Sequence, residues 1–164
     1  MKISTRGRYA VMAMADMAQQ NLQGQSGPFK LADIGLRQEI SLNYLEQIFG
    51  DLRRAGLVES QRGAHGGYML VGTPKAIRIG DVIQAVDEPV DVTRCGTSHG
   101  CLAKQARCLT HDLWAELGNT IHGFLNAISL ADVVDGKPLP NMSPADLPME
   151  TPQSLVGLVQ EAGE

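Results

Sequence analysis

The chain has no apolar stretch near the 20 or so residues needed to cross a bilayer, no Cys-x-x-Cys pair and no excess of positive charge. It also lacks a phosphate-cradling glycine loop, a nucleophile elbow and paired carboxylates in any sequence-defined site. These absences argue against a membrane-spanning helix and leave an enzyme without support. Cysteine is scarce and odd in number: Cys95, Cys101 and Cys108 lie within fourteen residues. A secreted disulfide framework would carry an even set. Met1 to Ala18 has positive charge followed by apolar residues, yet Asp16 stops the Tyr9–Ala15 run before a signal-peptide core is complete. The expectation is a soluble, cytoplasmic chain with no membrane partner.

The net charge of −4 hides an asymmetry. Residues 1–80 hold ten Lys or Arg against six Asp or Glu, a net of +4, and residues 81–164 hold four against twelve, a net of −8. A basic half joined to an acidic half suits a nucleic-acid-binding head on a different body. Ordinary surface variation would give the same totals, so the pattern along the chain has to decide.

Ala10, Ala13, Met14, Met17 and Ala18 recur at helical spacing and predict a first helix of about four turns. The segment from Gly24 to Pro28 breaks it. A short helix fits Leu31–Gln38, with Leu31, Ile34 and Leu36 inward. After a tight connection at Glu39-Ile40, Ser41 suits the N-cap of a third helix reaching about Ala55, with Leu42, Leu45, Phe49 and Leu52 as its buried stripe and Gly56 just past its end. Two β-prone runs, Leu57–Gln61 and Tyr68–Val71, flank a glycine-rich tip and predict a hairpin. Ile79–Val86 reads as a short helix with Val82, Ile83 and Val86 inward. From Thr110, the residues Trp114, Leu117, Ile121, Phe124 and Ile128 follow a 3-4-3-4 spacing, a seam suited to packing along another helix. Ser129 to Val134 forms a separate short turn, and the proline-rich stretch beyond Gly136 has little periodicity.

Helix, short helix, tight turn, helix and hairpin is the order of a winged helix-turn-helix. The fold expected is mainly α with a small β-hairpin wing and a long dimerisation helix. The expected units are a DNA-binding domain over 1–90, a cluster-binding loop over 91–109, a dimerisation region over 110–134 and a disordered tail over 135–164. At about 100° per residue, Asn43, Glu46, Gln47, Gly50 and Arg54 share the face of the third helix opposite its leucines. Asn and Gln pair with adenine and Glu accepts from the cytosine amino group, whereas Arg54 suits a phosphate. A wet amphipathic face would look similar, but the hairpin that follows carries Arg62 beside Gly63, a tip able to enter a minor groove. Lys2, Arg6 and Arg8 are further phosphate-contact candidates.

The second signal is Cys95-x5-Cys101-x6-Cys108-x2-His111. Thiolates suit iron–sulfur clusters, zinc or copper(I), and these spacings match neither zinc fingers nor ferredoxins. His111 lies three residues past Cys108, close enough for both to face one site. His99, between two of the cysteines, is a competing ligand.

With these residues in view, the chain resembles the IscR family, the iron–sulfur cluster assembly regulators. The likeness is carried by Lys2–Val11 (KISTRGRYAV), Ile40–Gln47 (ISLNYLEQ), Arg62–Tyr68 (RGAHGGY), Val90–Cys95 (VDVTRC) and Cys108–Trp114 (CLTHDLW), and it covers residues 1–134. The resemblance implies a homodimer formed through the helix after the cluster, a [2Fe–2S] cluster on Cys95, Cys101, Cys108 and His111, and DNA contacts from Asn43, Tyr44 and Arg62. It implies that Glu46 discriminates between operator classes. It implies further that the loaded dimer represses cluster-assembly genes, that the empty form binds a second class of sites, and that donor proteins of the assembly machinery are partners. One departure is the six-residue gap before Cys108, where the family commonly has five. A nitric oxide sensor with a [4Fe–4S] cluster is the rival within the wider superfamily. It is disfavoured by Cys108-Leu109-Thr110-His111 and by Arg8, where such sensors carry an aspartate. A zinc-stabilised DNA-binding module without redox sensing is the other rival.

Overall fold

Helix α1 (Thr5–Leu22) begins where Ser4 caps it, the Ser4 hydroxyl accepting from the Gly7 amide at 2.9 Å. The computed structural model describes residues 4–63, 65–86 and 107–136. The calls on the cluster loop up to residue 106, including Cys95, His99 and Cys101, and on the tail from 137 lie outside those residues, as does Lys2. Ala10, Ala13, Met14, Met17 and Ala18 are all fully buried, so α1 runs through the core, and its small side chains let neighbouring helices approach.

Helix α2 (Leu31–Gln38) buries Leu31 and Ile34 as expected. Leu36 does not follow them: it is 81% exposed. Two residues past Ile34 is roughly half a turn around the helix at about 100° per residue, so Leu36 faces away from the core. Glu39 then takes a left-handed conformation at φ 57°, and the Ile40 amide donates to the Gly35 carbonyl at 3.0 Å. This closes the tight turn into α3 (Leu42–Arg54).

The buried stripe of α3 is Leu45, Ile48, Phe49 and Leu52. Leu42, in the first turn at the edge of that stripe, is 46% exposed, and Ile48 takes the place expected for it. Ser41 occupies the N-cap position, but its side chain makes no capping bond. The end of α3 matches expectation: Gly56 adopts φ 74° and the Leu57 amide donates back to the Leu52 carbonyl at 3.0 Å.

Strands β1 (Val58–Gln61) and β2 (Gly67–Leu70) pair antiparallel, with Val58 opposite Leu70 and Gln61 opposite Gly67. Phe29 adds a bridge on the outer side of β2. Its amide donates to the Tyr68 carbonyl and the Tyr68 amide donates to the Phe29 carbonyl, both at 2.8 Å. Helix α4 (Ile79–Val86) buries Ile79, Val82, Ile83 and Val86. Helix α5 (His111–Ala127) is followed by α6 (Leu130–Val134), which opens on a capping box between Ser129 and Asp132. Ile128 is extended and buried in the core instead of continuing the seam of α5. The Ile79 amide donates to the Ile128 carbonyl at 2.9 Å and the Leu130 amide to the Ile77 carbonyl at 3.0 Å, which ties the end of α5 to the start of α4.

Among the described residues one carboxylate lies deep in this packing. Asp16 of α1 is 4% exposed. It accepts from Arg37 Nε at 2.9 Å, from Arg37 Nη2 at 2.7 Å and from Gln38 Nε2 at 3.0 Å. The Asp16 hydrogen bond raises the Arg37 pKa above its ordinary value, against the opposing effect of burial. A raised value in the folded state means that the contribution of the charged Arg37 is complete below the unfolded value and is lost as pH rises through the folded one. Asp16→Asn removes the charge and one acceptor. The expected loss is about 1–2 kcal/mol, given the partial exposure of Arg37, read as a lower urea midpoint with unchanged slope.

Candidate nucleic-acid interface and cluster ligands

Helix α3 holds its polar face outward because the opposite face is fixed in the core. Asn43, Glu46 and Gln47 are exposed, and Gly50 beside them has open space where a Cβ would stand. Tyr44 is half-buried and meets Tyr9 of α1 edge-on, ring centres 5.7 Å apart, while the Arg8 guanidinium stands 5.6 Å from the Tyr9 ring. Of the early basic residues, Arg8 is thus stacked on an aromatic ring. Arg6 is ion-paired to Asp51 of α3. Arg54, 77% exposed, pairs with the same Asp51 carboxylate. Asp51 was not singled out from sequence; its signal was its place one turn past Gln47 and three residues before Arg54.

The wing stands beside α3. Arg53 Nη1 reaches Ser60 Oγ at 3.5 Å, and Phe49 packs against Tyr68 with ring centres 4.9 Å apart. At the tip Arg62 is exposed, and the Gly66 amide donates to the Gly63 carbonyl at 2.9 Å. Gly67 permits the bridge to Phe29: a Cβ there would come within 2.4 Å of the Phe29 carbonyl oxygen. Sequence reasoning gave Phe29 no role and missed that it anchors the wing.

Of the four expected cluster ligands, Cys108 and His111 lie among the described residues. His111 is the first residue of α5 and is buried, and its amide donates to the Cys108 carbonyl at 3.0 Å. Cys108 is half-buried, with Sγ 3.6 Å from Thr110 Oγ1. Trp114 Nε1, which can only donate, gives its proton to the same hydroxyl at 3.1 Å. When Cys108 is a thiolate, the Thr110 hydroxyl proton is therefore available to its sulfur. No three metal-binding side chains converge among the described residues.

A family model described as an iron-dependent transcriptional regulator, Rrf2, matches residues 3–136. The chain belongs to the Rrf2 family. It is 53% identical over 137 residues to the HTH-type transcriptional regulator IscR of Serratia proteamaculans, covering 84% of this chain and 81% of that one. The IscR of Yersinia enterocolitica has the same identity and coverage. Among solved structures, T. potens IscR aligns with a TM-score of 0.67 at 37% identity, over 87% of this chain and 93% of that one. CymR, the global cysteine regulator of B. subtilis, aligns at 0.69 and 32% identity, over 84% and 99%. This Rrf2 protein is a DNA-binding transcription regulator of the IscR type with a winged-helix fold. Its relatives are regulators and not enzymes, and no described helix is long and apolar enough to cross a membrane.

Two glycines separate folding from binding. Gly50→Ala fills open space in a helix and should raise stability by about 0.5–1 kcal/mol, while the added methyl on the exposed polar face should weaken duplex binding. Gly67→Ala should lower the melting temperature by displacing Phe29 from the wing. Melting curves and duplex titrations of both variants check the contrast.

Proposed function

We propose that this Rrf2 protein is an iron–sulfur-cluster-responsive regulator of cluster-assembly and related genes, acting as a homodimer in the cytoplasm. In this reading Asn43, Tyr44, Glu46, Gln47, Arg54 and Arg62 contact double-stranded DNA. Cys95, Cys101, Cys108 and His111 hold a [2Fe–2S] cluster, supplied by donor proteins of the assembly machinery.

The observation that carries the proposal is the placement of Cys108 and His111. They share one turn at the start of α5, the end nearest the cysteine segment, while the other end of α5 is bonded to the DNA-binding head. Thiolate and imidazole together are a donor set suited to iron–sulfur chemistry, so the residues fit the group. When bound, the cluster supplies a centre whose presence depends on iron supply and oxidation. The chain's own residues do the rest. His111 is buried at the helix start, and Thr110 offers its hydroxyl to the Cys108 sulfur.

The dimer reading has its own support. Leu113, Trp114 and Leu117 stand exposed along the first half of α5, Leu113 at 61%. They continue into the half-buried Ile121 and Phe124. An apolar stripe of this kind on a helix suits a second copy.

Anaerobically purified protein should show a visible absorption band with iron and sulfide in equal amounts. Cys108→Ala and His111→Ala should each lose or weaken the band. Zinc with no visible band would sink the sensor reading, a four-iron count would favour the nitric oxide sensor, and a full band in His111→Ala would shift the fourth ligand to His99 or an external group. Separately, Glu46→Ala should let loaded and empty forms accept each other's operators. Unchanged preference in a binding assay removes that role from Glu46.

A further inference from the structure

Asp51 is the one acidic side chain on α3 that the structure ties to basic groups, and it is tied to two. Its carboxylate, 12% exposed, pairs with Arg6 from the start of α1 and with Arg54 one turn further along α3. Asp51 lies one turn from Gln47, so both arginines are gathered at the margin of the reading face. Phosphates flank a recognition helix seated in the major groove, and each phosphate met by an arginine adds affinity that any sequence can supply.

We infer that Asp51 is a brake on sequence-independent DNA binding: away from the operator its carboxylate occupies the Arg6 and Arg54 guanidinium groups that would otherwise meet phosphates, and Arg54 turns to DNA only in the operator complex. Three observations support this. Arg6 is only partly satisfied where it stands, since its Nε is buried and has no hydrogen-bond partner. A buried donor left unpaired costs about 1–3 kcal/mol, so Arg6 has something to gain from a second acceptor. Arg54 is largely exposed, and among the described residues its ion-pair partner is Asp51. The half of the chain that carries α1 and α3 has a net charge of only +4. Two arginines on or off the phosphates are then a large share of the electrostatic term. The carboxylate adds a like charge within a Debye length, about 8 Å at physiological salt, of any phosphate those arginines could reach. A regulator that must find few sites among very many competing ones gains from weak background binding.

This inference rests on α3 being the recognition helix, and the test separates the two. Full-length protein is titrated with poly(dI–dC), and with a duplex it has itself selected from a random-sequence library, across a range of salt. Asp51→Asn should tighten poly(dI–dC) binding about tenfold at 0.1 M salt. It should also steepen the slope of log K against log salt by about one to two, at about 0.9 per phosphate gained. Asp51→Glu, which keeps the charge, should hold the wild-type slope. The double variant D51N/R54Q should lose about 0.9 of that steepening, the share of one phosphate, and leave only what the freed Arg6 adds. Urea unfolding of each variant reports stability alongside. A purely structural Asp51 would change the urea midpoint and leave the salt slope alone. An unchanged slope, or weaker poly(dI–dC) binding by folded Asp51→Asn, overturns the brake. If Gln47→Ala leaves affinity for the selected duplex intact, the recognition-helix reading fails and the brake falls with it.

Discussion

The tie between Asp16 and the end of α2 governs how the DNA-reading part of the molecule is set. Helix α2 has eight residues and buries only two large side chains, too little by itself to fix its angle. Arg37 meets the Asp16 carboxylate through two nitrogens, and Gln38 adds a third donor, all to a group anchored in the most buried helix. Planar two-point pairing specifies direction as well as distance. The turn at Glu39-Ile40 follows immediately, so this tie adds to the orientation that α3 takes from its own buried stripe.

Much of this was legible in the sequence, for reasons that can be named. The first helix, the turn before α3, the Gly56 stop and the hairpin follow from periodicity and from residues with strong backbone preferences. The errors are just as specific. Leu36 and Leu42 were expected inside because they are apolar and near a stripe, but a short helix has room for few inward positions, and Ile48 filled the one left by Leu42. Ile128 matched the α5 spacing, yet the chain turns extended there, because its own carbonyl accepts from the Ile79 amide and the Leu130 amide donates to Ile77 across the fold. Phe29 bonds to a residue 39 positions away, and no local pattern carries such a contact.

The candidate site divides in the same way. Asn43, Glu46 and Gln47 could be found by their common helical face, and Cys108 and His111 by their spacing. Asp51 could not, because its meaning comes from Arg6, which folding brings to it from another helix. Thr110 was part of a quoted motif, but its place between the Cys108 sulfur and the Trp114 ring is a property of the first turn of α5 as folded. Motifs identify side chains that act on a ligand; the groups that restrain or orient those side chains come from elsewhere in the chain.

The bonds between the segment before α4 and the junction of α5 with α6 have a mechanical consequence. They fasten the base of α5 to the head at several points: Ile79 to Ile128, Leu130 to Ile77, and Ala131 to Pro74. A helix held this way is a strut and not a tether. In the proposed dimer, two such struts of seventeen residues, each about 25 Å at 1.5 Å per residue, would set the distance between the two reading helices. The protein would then carry its own ruler for the spacing of operator half-sites, built into the chain before any DNA is met.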